Sequence, residues 1–253
     1  PSISRSARYA CALGVFQFGH CTVTDWLGPA EWTALWLSLK VAFWATLFSL
    51  PLGFGAAYAL ARGSFFGRQA LNVLVHLPLV MPPVVTGYLL LLGFGRTGPL
   101  GEFFEHLFGI IFAFRWTGAA LAAAVMGFPL MVRAIRLSIE AIDQGLEEAA
   151  GTLGASRLRV LRTITLPLAW PGILAGAVLG FAKGMGEFGA TVTFVSNIPG
   201  QTQTLALSID MLLEVPGGEP LALRLAIVSI AIAAVALIVS EILAQRVNRR
   251  RAA

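Results

Sequence analysis

The stretch IDQGLEEAAGTLGASRLRVLRTITLP, residues 142–167, is the longest charged segment lying between two apolar runs of the chain. Asp143 is placed to cap a helix that starts at Gln144, and Glu147 and Glu148 then fall in its early turns, where the helix dipole favours negative charge. Gly154 ends the helix, because glycine enters the left-handed conformation of a C-terminal cap without a Cβ clash. Ser156 can cap a second helix carrying Arg157, Arg159 and Arg162. At 1.5 Å per residue the helix from Gln144 to Leu153 is about 15 Å long, roughly half a bilayer core. It is too short to span and is expected at the membrane surface. Ala149 and Ala150, small and flanked by acids, make a thin knob able to enter a groove on another protein, with charge left for the rim. From helix, turn and charge alone, an ordinary solvated loop is the better reading.

The rest of the chain sets that segment in a membrane. Of 253 residues 57% are hydrophobic and 12% charged, and the mean hydropathy is +0.79. That leaves too little polar surface to cover a soluble globule. The apolar runs are continuous and rich in Ala, Leu and Gly rather than alternating, which predicts an all-α polytopic helical bundle and excludes an outer-membrane barrel. Lys40 and Lys183 are the only lysines among eighteen basic residues. The arginines gather at the ends of apolar runs with no aromatic platform between them, so the net charge of +5 reflects membrane topology and not nucleic acid. Cys11 and Cys21 are the only cysteines and have neither CxxC nor metal-ligand spacing.

Five spans are expected, from Thr33 to Ala61, Leu71 to Gly95, Thr117 to Val132, Ile164 to about Phe181, and Leu221 to Leu243. Residues 1–30 form an N-terminal extension, 31–246 the membrane domain with a cytoplasmic loop at 137–163, and 247–253 a basic tail. Arg62, Arg68, Arg133, Arg136, the three arginines after Ser156 and the RVNRRR run from Arg246 mark the cytoplasmic side and leave the N-terminus outside. Residues 96–116 read as an outer loop with an interfacial helix, and 201–220, which hold Asp210, Glu214 and Glu219 but no basic residue, as outer polar sequence. Lys40 lies within snorkelling reach of the outer interface, and Pro51 is expected to kink the first span.

Two apolar segments carry irregular chemistry. In HLPLVMPPVVTGYLLL, Pro78, Pro82 and Pro83 each remove a backbone donor, and such a break is tolerated in a bilayer only where protein or a water-filled cavity satisfies the freed carbonyls. His76, at its start, reads as a packed, hydrogen-bonded side chain. In KGMGEFGATVTFVSNIPG, Lys183 and Glu187 stand four apart and can neutralise each other on a helix, while Gly184, Gly186 and Gly189 allow close approach or unwinding. A structural ion pair and an element of a translocation pathway fit this segment equally. Thr191, Thr193, Ser196 and Asn197 could donate hydrogen bonds to an oxyanion, and helix packing explains them as well.

The spelling of the opening stretch goes further. Glu148-Ala149-Ala150, Gly154, and Ile164-Thr165-Leu166-Pro167 after nine intervening residues match the EAA signature of bacterial ABC importer permeases. Together with the His76–Leu91, Phe128–Asp143 and Gly186–Gly200 segments in this order, the chain resembles the permease subunits of molybdate ABC transporters over roughly Trp32 to Arg246. Sulfate and thiosulfate permeases are the second resemblance, and tungstate is a co-substrate that the first implies. It implies a type I importer fold with a coupling helix that docks on a separate ATPase, and transfers that role to Glu147, Glu148, Ala149, Ala150, Gly151, Gly154, Ile164, Leu166 and Pro167. It further implies two copies of the chain in the bacterial inner membrane, cytoplasmic ATPase subunits that bind ATP and magnesium, and a periplasmic oxyanion-binding protein. Pro82, Pro83, Lys183, Glu187, Thr191, Thr193, Ser196 and Asn197 are the pathway candidates.

The chain has no G-x-x-x-x-G-K-[ST] phosphate loop, so ATP hydrolysis is expected in the partner and no cofactor in this chain. An intramembrane enzyme would need a catalytic set at membrane depth, and no Ser-His, Asp-Asp or HExxH arrangement is present. An autonomous ion-coupled carrier would need buried acids for coupling, for which Glu187 is the one candidate.

Overall fold

The computed structural model describes residues 28–252, without the side chains of 240, 241 and 243–252. The expectations for residues 1–27, including both cysteines, and for the side chains of the basic tail lie outside the described residues. Eleven α-helices follow in the described chain: α1 (Pro29–Arg62), α2 (Arg68–Val80), α3 (Pro83–Phe94), α4 (Pro99–Phe108), α5 (Trp116–Glu140), α6 (Gln144–Thr152), α7 (Arg157–Val160), α8 (Leu166–Met185), α9 (Gly189–Val195), α10 (Leu205–Glu214) and α11 (Glu219–Ala252). Pro29, Pro83 and Pro99 each open a helix, where the missing N–H costs nothing and the fixed φ suits the first turn.

Among the described residues, four helical stretches are long and apolar enough to cross a membrane: Pro29–Arg62, Trp116–Glu140, Arg157–Met185 and Glu219–Val239. The α2–α3 pair makes a fifth crossing if it counts as one broken span. Helix α5 is the centre, packed most extensively against α8 and α1. Glycines bring the backbones together there: a Cβ on Gly127 would lie 3.2 Å from the Gly180 carbonyl oxygen, and one on Gly176 3.0 Å from that of Met131. Small residues replace the hydrophobic drive that lipid removes.

Several expectations change in detail. The proline-rich span is not one bent rod but two helices at 114°. Met81 and Pro82 each precede a proline, which pushes both out of the helical region, and they are extended at ψ 146° and 133°. The third span continues to Glu140, because Ile135 and Ile139 keep the buried stripe of Met131 and Val132 running toward the cytoplasm. The fourth starts at Arg157: α7 passes through a π turn, Leu161–Thr165, into α8. There the Leu166 N–H reaches back to the Leu161 carbonyl, an adjustment that lets the helix carry Pro167, which has no N–H to give. The outer 201–220 segment contains α10, whose Leu205 and Leu207 are fully buried and whose first N–H donates to Ser38 Oγ on α1 at 2.7 Å. Helix α1 runs unbroken through Pro51.

Candidate functional site

Two places gather the residues singled out in the sequence. The first is the cytoplasmic end. Asp143 Oδ1 accepts from the Gly145 N–H at 2.9 Å and caps α6, while Gly154, at φ +81°, closes it in the left-handed region. Beyond its chain neighbours, no described atom would come within 4 Å of a Cβ at Gly154, so the requirement for glycine there is conformational and not steric. Ser156 Oγ accepts from the Arg159 N–H at 3.4 Å and starts α7. The two acids then part company. Glu147 turns inward: its Oε1 accepts from the buried Thr165 hydroxyl at 2.7 Å, and its Oε2 lies 3.0 Å from Arg62 Nε, an ion pair without the alignment of a hydrogen bond. Arg62 Nη2 also donates to the Ile142 carbonyl at 2.8 Å. One carboxylate thus ties α6 to the end of α1 and the root of α8.

Glu148 and Ala149 face outward, whereas Ala150 is half-buried, so the knob is narrower than the sequence suggests. Leu146, Ala149 and Leu153, at i, i+3 and i+7, make an exposed apolar stripe beside Glu148, with Leu153 89% exposed. That spacing is the pattern of a helix laid into a groove on another protein. Gly151 is exposed, and beyond its own helix backbone and chain neighbours no described atom would lie within 4 Å of a Cβ there. Ile164 and Leu166 are half-buried at the root of α8, and Pro167 is exposed. An open cleft of about 1150 Å³ beside the helix is lined by Arg62, Phe65, Arg68, Glu148, Arg157 and Leu158, among others. The sequence reading missed Arg62 and Thr165 as anchors. Arg62 was legible only as a topology charge, and the Thr165 contact joins residues 18 apart across a turn.

The second place lies in the outer half, where two broken helices meet. Helix α8 ends at Met185, and Glu187 sits in the gap before α9, only 2% exposed. Its Oε2 accepts from Lys183 Nζ at 2.6 Å, and its Oε1 accepts from the Ala190 N–H at 3.1 Å, capping α9. The break leaves donors at membrane depth, and this carboxylate answers both a side-chain cation and a backbone N–H. Helix α9 packs on α3 so closely that a Cβ on Gly189 would lie 2.7 Å from Pro83 Cβ, and one on Gly87 2.6 Å from the Ala190 carbonyl oxygen. Pro82, with Met81, lies between the two halves of the broken span. Thr191 is buried, and the Thr193 hydroxyl donates to the Gly189 carbonyl at 2.9 Å. Ser196 ends α9 at φ +62°; its carbonyl accepts from Thr202 Oγ1 at 2.8 Å, and Asn197 Nδ2 donates to the Leu207 carbonyl at 3.2 Å. The Pro82–Pro83 and Lys183–Asn197 candidates therefore come together, with Thr193 and Asn197 engaged in bonds within the protein. His76 Nδ1 lies 2.9 Å from the Asn72 carbonyl.

Comparison with known proteins follows the same line. Residues 49–249 match the family model described as binding-protein-dependent transport system inner membrane component. The molybdenum transport system permease protein ModB of Escherichia coli (strain K12) is 59% identical over 226 residues, covering 89% of this chain and 98% of that one. Its namesake in Haemophilus influenzae is 52% identical, covering 87% and 96%. A probable sulfate transport system permease protein of Chlorella vulgaris is more distant, at 36% identity over 68% of this chain and 64% of that one. Among solved structures, a bacterial ABC transporter involved in import of the acidic polysaccharide alginate aligns with TM-score 0.70 and 18% identity over 94% of this chain and 89% of that one. An amino acid ABC transporter aligns with TM-score 0.61 and 21% identity, covering 86% and 94%. At these identities the two structures speak for the fold alone.

Proposed function

The chain belongs to the family of binding-protein-dependent transport system inner membrane components, and we propose on that footing that it is the membrane subunit of an ATP-driven importer carrying molybdate, with tungstate as co-substrate, from the periplasm to the cytoplasm. It is a transport subunit and hydrolyses nothing itself. What carries the reading to molybdate is the 59% identity, over nearly the full length, to a molybdenum permease, against the lower and shorter match to a sulfate permease. Two copies line the path in the bacterial inner membrane, each offering α6 to one cytoplasmic ATPase subunit, while a periplasmic protein delivers the oxyanion.

The division of labour between Glu147 and Glu148 supports this mechanism. An outward apolar stripe with Glu148 on its edge gives the ATPase something to grip. The inward Glu147 converts a push on α6 into a push on α1 and α8, since its carboxylate holds Arg62 and Thr165 at once. Helix α8 carries that displacement to Lys183 and Glu187 at its far end, where the carboxylate is bonded to α9. Movement of the coupling helices as the ATPase pair closes would then shift α9 and, through the tight Gly87–Ala190 and Gly189–Pro83 contacts, α3 as well.

ATP-dependent uptake into vesicles holding this chain, its ATPase and its binding protein tests the assignment. Molybdate is expected to accumulate only with ATP, and a large excess of sulfate to compete poorly. Sulfate transported in preference to molybdate would move the chain to the sulfate permeases, and accumulation without ATP would make it an ion-coupled carrier.

A further inference from the structure

The mechanism leaves one polar surface unused. On α5, taking 100° per residue, Gly118, Ala122, Met126, Arg133, Arg136 and Glu140 fall within an arc of about 80°. The outer part of this arc is covered: Ala122 and Met126 pack in one apolar cluster with Ala190, Phe194 and Val195 of α9, and a Cβ on Gly118 would lie 2.6 Å from Val195 Cγ1. The inner part is not, and Arg133 and Glu140 are exposed. Helices α1 and α8 hold other sides of α5, through Gly53 against Met131 and Gly180 against Gly127. The open arc therefore lies directly on the cytoplasmic side of α9.

Helix α2 borders it with a polar edge. Asn72 Oδ1 accepts from Arg136 Nη1 at 3.0 Å, and His76 stands one turn farther on, while the exposed Val73, Leu77 and Val80 turn roughly a right angle away. Arg136 Nε donates to Glu140 at 2.7 Å, which leaves three of its five N–H groups unused by these bonds. Arg133 has no hydrogen bond or ion pair among the described residues. It sits about 26 Å along α5 from Trp116, near the inner limit of a hydrocarbon core of about 30 Å. Ionisable side chains sharing one arc at this depth are costly against lipid and belong on water or protein.

We infer that Arg133 and Arg136, flanked by His76 and Asn72, form a cytoplasm-side station for the transported oxyanion, entered once the α3–α9 pair has moved aside. The inference rests on the oxyanion-importer reading and adds the residues that receive the anion after the outer half. Arg133 supplies the uncompensated charge, and planar guanidinium groups suit a tetrahedral dianion. Glu140 beside Arg136 keeps the attraction modest, as a site that must release its ligand requires.

The test uses the assembled transporter in inside-out vesicles, with Cys11 and Cys21 replaced by serine and Leu137→Cys, exposed beside the arc, as reporter. Millimolar molybdate is expected to slow labelling of that cysteine by N-ethylmaleimide at least threefold. Arg133→Gln should abolish the protection and Arg133→Lys retain most of it. In right-side-out vesicles that enclose ATP, with the binding protein added outside and the reporter omitted, Arg133→Gln should lower the maximal uptake rate about tenfold, with the molybdate concentration for half-maximal uptake unchanged. Labelling indifferent to molybdate, protection that survives Arg133→Gln, or cross-linking of Leu137→Cys to its counterpart in a second copy would overturn the station. If the parent protein takes up molybdate and any of these occurs, the station alone fails. If the parent takes up no molybdate, the importer reading fails first.

Discussion

Glu148→Lys and Gly154→Val each reduce ATP-driven uptake at least tenfold while the purified chain keeps its fold. Glu148 is exposed and makes no hydrogen bond or ion pair among the described residues, so reversing its charge removes no such contact there. Its cost falls on the rim of the surface presented to the ATPase, where a like or desolvated charge opposes docking. Gly154 acts differently. At φ +81° a β-branched residue is strained by about 1–3 kcal/mol, and the chain relieves this by unwinding the end of α6 and displacing Leu153 from the exposed stripe. The strain is confined to a surface turn, so thermal unfolding in detergent should move little. The measurement is uptake together with recovery of the ATPase on the tagged permease. Undiminished recovery with full uptake in both variants would remove α6 from the coupling pathway.

Glu187→Ala is expected to be the most damaging single change to the fold itself. It leaves Lys183 without its partner in the outer half and frees the Ala190 N–H at the start of α9. Breaking a buried ion pair from one side costs about 3–5 kcal/mol, and the partial exposure of Lys183, at 30%, points to the lower end of that range. In a chain of this size the midpoint of thermal unfolding should fall by on the order of 10 °C. Glu187→Gln, which keeps an acceptor for Ala190 but not the charge, should fall between the parent and the alanine variant. An alanine variant as stable as the parent would mean that the carboxylate does not hold the break together.

What could be read in advance depended on how local the cause was. Helix α6 was legible almost to the residue because Asp143, Gly154 and Ser156 act on atoms two or three positions away. The two prolines at 82 and 83 announced a break, but not that two consecutive residues, each forced extended, would set the halves at 114°. The end of the third span was placed early because Arg133 and Arg136 looked like a boundary. Its length is decided by Ile135 and Ile139, which reach apolar neighbours on α1, α2 and α8. For the same reason Glu147 and Glu148 could not be told apart in sequence, since only tertiary packing brings Arg62, 85 residues before Glu147, to one of them. The Lys183–Glu187 spacing predicted a helical pair; the pair forms across a helix end instead, which is how one carboxylate also serves α9.

The proposed function requires that another protein take hold at α6. With Cys11 and Cys21 replaced by serine, the most direct measurement introduces cysteine at Ala149 and treats membranes holding the assembled transporter with a short bifunctional thiol reagent, using an ATPase with accessible cysteines around its docking groove. The expected product is a permease–ATPase adduct that forms from Ala149→Cys and not from Phe103→Cys on the exposed outer helix α4. An adduct that forms equally from position 103, or a cysteine at 149 reached only by reagents added from the periplasmic side, would contradict it.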